Sequence, residues 1–501
     1  MMFAVFAIFV QVFLLILLIS ILNFESTLVA LVVFIADAAA VFSIFGQNTS
    51  SSLKMPWIYV ILVFPVAGLV FYLLVGHNKQ TKKMRKRYED IDEKLLPLLH
   101  SNETTEKALK DKFPYIYNIA RYLKTNAGYP TYQNTDIEYY SDAADGLEAQ
   151  KAELKKAEKF IFMEYHAIQD AESWHGIQDI LAEKAAAGVD VRVFYDDMGS
   201  IGFVNTDFVK RLEDKGIKAK VFNPFAPGVN LFLNNRDHRK ITVIDGKVGF
   251  TGGYNLANEY FHIGEPFGFW KDTGIRLEGD AVESLTITFL EMWNAVNDKD
   301  VNDTDYKQYL PKYDYKSKEN GFIVPYADSP MDDIHVGEDV YMSVAESAKD
   351  YAWFITPYLI ITDEMIHALS LAAKKGVDVR VITPGIPDKK IVYSVTRSYY
   401  NSLARNGVKI YEFTPGFCHC KMCVSDDIVA TCGTINMDYR SLYHHFENGC
   451  LYADCDAVMK TKEDFIDVMK QSKDVTEYYT SGRGAFLRLG QLILRIFAPL
   501  M

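Results

Sequence analysis

The chain has 501 residues, with 53 basic and 65 acidic side chains and a formal net charge of −12 at pH 7. That length holds two or more ordinary domains, and the acidic balance argues against a dedicated nucleic-acid binder, so no nucleic-acid partner is expected. All six cysteines fall between Cys418 and Cys455, crowded into one region rather than spread as in a secreted disulfide scaffold. They read as reduced thiols facing a cytosol.

Residues 1–76 carry only Glu25, Asp37 and Lys54 as charged side chains, and three apolar runs can be cut from them: Phe3 to Leu22, Leu28 to Phe45, and Trp57 to Val75. Each is about long enough to cross roughly 30 Å of hydrocarbon, so two or three transmembrane helices are expected. The third run has no charge, begins with Trp57 as an interfacial anchor, and is followed by Lys79, Lys82, Lys83, Arg85, Lys86 and Arg87. Such a cluster holds its side in the cytoplasm, which makes the expectation a multi-pass membrane protein with everything downstream of the cluster on the cytoplasmic side. Asp37 makes the second run marginal unless it packs against a neighbour. The first run lacks a basic start and is read as a retained anchor, not a cleaved signal.

Residues 77–130 read as a basic juxtamembrane linker with helices. Beyond them the chain repeats itself. Gly188-Val-Asp-Val-Arg-Val193 recurs letter for letter as Gly376-Val-Asp-Val-Arg-Val381, each after an alanine-rich helix and each expected to be a buried strand. Phe160-Ile-Phe-Met163 and Trp353-Phe-Ile355 are matching apolar strands upstream. Strands alternating with helices predict a mostly parallel α/β sheet in each half, the first over 131–310 and the second over 311–501, the latter ending in an amphipathic helix.

Each half culminates in an HxKxxxxD pattern, His238-Arg-Lys240 through Asp245 and His419-Cys-Lys421 through Asp426, with an asparagine, Asn255 or Asn436, seventeen residues after the histidine. One such pattern is weak evidence. Two with the same offset, each after matching strands, point to a catalytic unit built from a duplicated motif.

These motifs resemble those of the phospholipase D superfamily and, within it, the bacterial cardiolipin synthases. The resemblance rests on Asn235-Arg-Asp-His238-Arg-Lys240, Gly253-Tyr-Asn255-Leu-Ala-Asn-Glu259-Tyr260 and Trp270-Lys-Asp272 in the first half. In the second it rests on Gly433-Thr434-Ile-Asn436-Met-Asp438-Tyr-Arg440-Ser441 and Phe446-Glu447-Asn448. It covers about Thr131 to Met501, and the helix of Trp57 to Gly76 resembles the family's membrane anchor. It implies two phospholipase D-like α/β repeats forming one pseudo-twofold unit and a phosphatidyltransferase that joins two phosphatidylglycerol molecules into cardiolipin and releases glycerol. Hydrolase and nuclease activities occur on the same motifs. The additional N-terminal apolar runs and the cysteines at 418, 420 and 423 depart from the pattern without removing a motif residue.

The chemistry of the residues fits. In a strand, residues i and i+2 share a face, so His238 with Lys240, and His419 with Lys421, project together. A phosphodiester attack needs a nucleophile, a proton donor for the leaving alkoxide and donors for the phosphoryl oxygens. One neutral imidazole attacks phosphorus while the other, protonated, releases the alcohol; Lys240, Lys421, Asn255 and Asn436 hold the non-bridging oxygens, with Gly253 and Thr434 in the supporting set. His238 is expected to be the nucleophile. Asp245 and Asp426 complete the motifs but are five residues beyond their lysines in turn sequences, so a supporting role or a turn role is expected for them. The resemblance implies that Glu447 orients His419 and that Asp272 does the same for His238, with Glu265 as a rival. No metal and no cofactor is required.

Four further features stand outside the motifs. Cys418-His419-Cys420-x-x-Cys423 has the residue types of a zinc site, yet ligation would consume His419, and alternation puts Cys418 and Cys420 on the opposite face; buried thiols are expected. His166, His175, His444 and His445 lack a partner pattern and read as ordinary polar residues. The apolar insert Phe225 to Leu233 reads as a packed loop or an acyl-chain entrance, and Ala485 to Phe497 as a terminal helix lying in the core or the lipid interface.

Overall fold

The computed structural model describes residues 27–47, 49–76, 82–224, 235–296, 303–481, 494, 495 and 498. The described residues up to 76 form an N-terminal unit, and those from 82 onward form a body. The first apolar run, the insert Phe225 to Leu233 and most of the expected C-terminal helix lie outside the described residues.

In the N-terminal unit the second apolar run is a helix, Thr27–Phe45, with Leu31, Val32, Phe34, Ile35, Phe42 and Phe45 exposed. The third run is not the continuous helix expected. It forms Ser51–Val63, breaks, and resumes as Ala67–Phe71 and the π-helical turn Tyr72–Gly76. Pro65 has no N–H to donate and disfavours a helical Phe64 before it, and Val66 takes a φ of 64°, so the backbone cannot pass through helically. Asp37 accepts a hydrogen bond from the Val66 backbone, which gives the lone acid of this helix a partner at the break. Among the described residues no helix is long and apolar enough to cross a membrane.

The body contains two sheets with one strand order. The first runs Thr135–Tyr140, Gly274–Gly279, Val248–Gly252, Lys240–Ile244, Phe160–Tyr165, Asp190–Asp196, Lys218–Phe222. The second runs Phe322–Asp328, His445–Ala453, Val429–Gly433, Met422–Ser425, Tyr351–Ile355, Asp378–Pro384, Lys409–Phe413, and then adds Ser472–Asp474 at its edge. The repeat is therefore structural, but the sheets are mixed rather than mostly parallel. Along each strand order, parallel pairing joins the three strands from Phe160–Tyr165 to Lys218–Phe222 and their counterparts, and the other neighbours pair antiparallel. The reason is local: Asp245 and Gly246, both at positive φ, fold the motif strand back as a hairpin, and Asp426 with Asp427 does so in the second half. Each hairpin then extends the sheet antiparallel.

The duplicated GVDVRV segments behave as read. Gly188 and Gly376, with φ of 91° and 100°, end the preceding helices in the left-handed conformation that glycine adopts without strain. The valines that follow are buried. Both sheets feed one apolar core that includes Phe162, Phe289 and Leu290 of the first half and Trp353, Met422 and Phe446 of the second. The helix Val282–Ala295 lies in it, with every residue but one buried. Helix Lys82–Leu95, from the segment read as a linker, docks there through Tyr88, Ile91 and Leu95, and the Tyr88 ring stacks on Phe446 at 5.0 Å.

Candidate active site

The short strand Arg236–Asp237 runs parallel to the start of His445–Ala453, pairing Arg236 with His445 and Asp237 with Phe446. The pseudo-equivalent contact pairs Phe269, Trp270 and Lys271 with Gly416, Phe417 and Cys418. Each histidine motif thus enters beside the other repeat. The His238 N–H donates to the Phe446 carbonyl at 2.8 Å and the His419 N–H to the Lys271 carbonyl at 2.8 Å.

This crossing decides which acid serves which imidazole. His238 Nδ1 donates to the Glu447 carboxylate at 2.8 Å, and His419 Nδ1 bonds Asp272 Oδ2 at 2.7 Å. The pairing expected from the sequence, Glu447 with His419 and Asp272 with His238, is reversed, because parallel docking of each entry strand delivers the acid of the opposite half. Glu265 is exposed and takes no part.

The two acids are held differently. Glu447 also accepts from the hydroxyls of Thr434 and Ser441; burial would raise it, but the neighbouring His238 and His445 hold it well below the usual carboxylate range. Asp272 accepts from the Thr273 N–H at 2.8 Å; burial raises it to about 7, against the opposing pull of Lys421. A Cβ on Gly253 would stand 2.1 Å from Asp272 Oδ1, so the glycine is what lets the acid approach. Thr434, its counterpart, instead supplies a hydroxyl to Glu447.

Burial lowers His238 to about 3 and His419 well below its ordinary value, and each has neighbouring lysines adding to the effect. Lys240 and Lys421 are likewise lowered by burial, to about 7 and about 8, although Glu447 and Asp272 oppose this. Their ammonium groups bond the carbonyls of His238 and His419 respectively. Lys240 senses Lys421, Glu447 and Asp272 together, so the two motifs form one buried electrostatic cluster. An anion would favour its protonated state.

Asn255 accepts from the Ala167 N–H at 3.2 Å and donates to the Tyr260 hydroxyl at 2.8 Å. The Asn436 N–H donates to Ser441 Oγ at 2.8 Å, while its side-chain Oδ1 is buried without a hydrogen-bond partner. Tyr260 and Ser441 each stand five residues after their asparagine. That shared offset is the sequence signal for Ser441 as a site residue.

Asp245 and Asp426 are brought elsewhere. Asp245 accepts from the backbone N–H groups of Glu158, Lys159 and Phe160 at 2.8–2.9 Å, and Asp426 from those of Lys349, Asp350 and Tyr351 at 2.7–2.9 Å. Each clamps the start of a strand of its own repeat, at the far end of the hairpin strand from the lysine.

The surroundings of the two imidazoles differ. His238 has His166 at 4.9 Å and His445 at 5.5 Å between ring centroids. His419 has Tyr260 at 5.3 Å, Trp270 at 5.6 Å and Phe417 at 5.8 Å. Trp270 and His445 are equivalents, each two residues before its acid. His166 donates through Nδ1 to the Asp237 carbonyl at 2.7 Å, so His166 and His445 are site neighbours and not the ordinary polar residues expected; His175 does lie at the surface, beside Asp170. Among the described residues, one set of three ligand-type side chains, His238, His445 and Glu447, has atoms within 4.8 Å of one another. Glu447 already accepts three side-chain hydrogen bonds, which leaves it little valence for a cation. Cys418 and Cys420 are buried 3.9 Å apart, and Cys423 contacts Thr431, away from His419.

Two imidazoles backed by carboxylates, two buried lysines and two asparagines, assembled across a pseudo-twofold axis, define a phosphodiester-transfer site of the phospholipase D type. The family model described as cardiolipin synthase, phospholipase D-like domain matches residues 151–288 and 341–469, and a phospholipase D-nuclease N-terminal model matches 35–77. The chain belongs to this cardiolipin synthase family of phospholipase D-like proteins. It is 32% identical to a cardiolipin synthase of Halalkalibacterium halodurans over 91% of each chain. It is 33% identical to one of Alkalihalophilus pseudofirmus, again over 91% of each. An uncharacterized protein of Streptococcus mutans is 43% identical over 89% of this chain and 96% of its own. The crystal structure of phosphatidylserine synthase from Haemophilus influenzae shares the fold, with a TM-score of 0.57 at 15% identity, over 77% of this chain and 98% of that one.

Proposed function

We propose that the protein is a membrane-bound phosphatidyltransferase that condenses two phosphatidylglycerol molecules into cardiolipin and glycerol through a phosphohistidine. The observation that carries this reading is the crossed pairing of the two imidazoles, His238 Nδ1 on Glu447 at 2.8 Å and His419 Nδ1 on Asp272 at 2.7 Å, which leaves each Nε2 for the substrate. Glu447 stays ionised and fixes His238 with its Nδ1 proton donated, leaving Nε2 as a lone-pair nucleophile. Asp272, raised to about 7, lets the Asp272 and His419 pair retain a proton at neutral pH.

The reaction then has two mirrored steps. His238 Nε2 attacks phosphorus, the bond to the glycerol headgroup oxygen breaks, and His419 delivers its proton to that oxygen. Glycerol leaves. A hydroxyl of a second phosphatidylglycerol gives its proton back to His419 and attacks the phosphohistidine, releasing His238 and forming the second phosphodiester of cardiolipin. Lys240, Lys421, Asn255 and Asn436 hold the non-bridging oxygens throughout.

Membrane attachment is assigned to residues 1–76, supported by the exposed apolar side chains of Thr27–Phe45 and by exposed Leu62, Val63, Phe64, Phe71 and Leu73. The basic cluster after them supports a cytoplasmic body, and the two sheets support repeat boundaries near 131–310 and 311–501. Purified full-length protein given phosphatidylglycerol alone, with products identified by mass, tests the reaction. Cardiolipin with equimolar glycerol is expected; phosphatidic acid as the dominant product would make the protein a hydrolase.

A further inference from the structure

Large apolar side chains are seldom exposed on the described part of the body: Tyr115, Met198, Ile201, Leu371, Ile386, Ile391, Met459 and Tyr478. Half of these eight sit on two short segments, 197–204 and 385–391. The two segments are pseudo-equivalents, each following the GVDVRV strand of its repeat, Asp190–Asp196 or Asp378–Pro384. A scatter of single exposed residues would need no explanation. A matched pair on both repeats does.

Both segments lean on the residues that surround the catalytic histidines. A Cβ on Gly199 would meet the His166 carbonyl at 2.2 Å and its ring at 2.7 Å, and His166 packs on His238. On the other side, Ile386 lies against Gly268, and Asp388 accepts from Tyr358 at 2.5 Å, whose ring is 6.2 Å from Phe417. Lys389 acts electrostatically on His419 while its side chain is 64% exposed, and Lys390 beside it is exposed. In 385–391, cations next to exposed isoleucines are the pairing that suits an anionic lipid surface, with Lys390 and the exposed Lys389, whose ammonium is also 3.5 Å from Asp388, at the phosphates and branched aliphatics among the first methylenes.

We propose that segments 197–204 and 385–391 are twin bilayer-contact feet, through Met198, Ile201, Ile386 and Ile391 with Lys389 and Lys390, that seat the mouth of the site on an anionic membrane. This contact is separate from attachment by residues 1–76, and it deepens the phosphatidyl-transfer reading: the body must draw a phosphodiester out of a bilayer, and feet on both sides of the mouth leave the lipid a short path to His238 and His419.

The test uses the full-length chain carrying Ile201→Glu with Ile391→Glu, both exposed positions outside the catalytic set. Product formation is measured on phosphatidylglycerol in bilayer vesicles and on monomeric dihexanoyl-phosphatidylglycerol. At least a tenfold loss on vesicles is expected, with the monomeric substrate turned over within twofold of the unsubstituted chain; equal rates on vesicles would overturn the proposal. A polarity-sensitive dye at Ile391→Cys gives a second reading, compared with the same dye at Tyr115→Cys, which lies near Asp426 at the other end of the strands. Shielding from aqueous iodide by phosphatidylglycerol vesicles at 391 alone is expected. Equal quenching, or cross-linking of two chains through Ile391→Cys, would assign the surface to water or to a second copy instead. The rates are compared for whichever product the unsubstituted chain makes, so a hydrolase outcome would remove the transferase reading and leave the feet to be judged separately.

Discussion

Glu447 of the second repeat holds His238 of the first, with 2.8 Å between its carboxylate and Nδ1, and Asp272 of the first repeat holds His419 of the second. Neither half owns a complete site. Glu447→Gln should therefore impair the His238 step and Asp272→Asn the His419 step, each lowering turnover by about a hundredfold or more. The separation is read by trapping the phosphohistidine with an alkaline quench. Glu447→Gln should slow its formation, whereas Asp272→Asn should slow formation for substrates with a poor leaving alcohol much more than for p-nitrophenyl phosphodiesters, which need no proton. Equal sensitivity of both variants to the leaving group would overturn the assignment of roles.

His238→Ala and His419→Ala should each remove at least about a thousandfold of activity, roughly 4 kcal/mol of transition-state stabilisation. Steady-state rates on folded protein check this. A variant of either histidine with near-normal turnover would mean that one motif suffices.

The pH dependence follows from the buried cluster. Lys240 and Lys421, lowered to about 7 and about 8, lose their charge as pH rises through those values, and Asp272, raised to about 7, loses the proton it shares with His419. All three losses disfavour reaction with an anionic phosphodiester. Hence kcat/KM should be level from about pH 5 to 6 and fall from about pH 6.5 upward, more steeply than for a single ionisation. Bound phosphate favours the protonated forms, so the fall in kcat should occur at higher pH. A profile rising across this window would contradict the protonation states assigned.

Asp245→Ala should destabilise without touching the chemistry. It leaves three backbone N–H groups of the Phe160–Tyr165 strand entry without their acceptor and puts alanine at a φ of 54°. The cost is about 2–4 kcal/mol in urea unfolding, with activity of the folded fraction within a few-fold; Asp245→Asn should cost less, because asparagine tolerates the left-handed conformation. Loss of activity at unchanged stability would restore Asp245 to the catalytic set.

Gly253→Ala should behave oppositely. Its Cβ would overlap Asp272 Oδ1 at 2.1 Å, so the acid must move off His419, and activity should fall about a hundredfold while the thermal midpoint changes little. Crystallography or His419 imidazole nitrogen shifts would show the displaced acid.

The sequence by itself determined the duplication, the paired histidines and lysines, the matching asparagines and the family, because these are carried by residue identity and short offsets that a strand converts directly into a shared face. His238 with Lys240 needs only the two-residue period of a strand. What the tertiary structure decided were relations between segments far apart in the chain. Glu447 lies nearer in sequence to His419, and nothing in its offset says that Arg236–Asp237 will dock beside Phe446 and present it to His238 instead. The same holds for Asp245, whose turn sequence was legible while the backbone N–H groups of residues 158–160 that it clamps were not, and for His445, which becomes a neighbour of His238 only because it occupies the position that Trp270 holds beside His419. A local period fixes which side chains share a face, but long-range docking fixes which faces meet, and the pseudo-twofold packing made that second choice here.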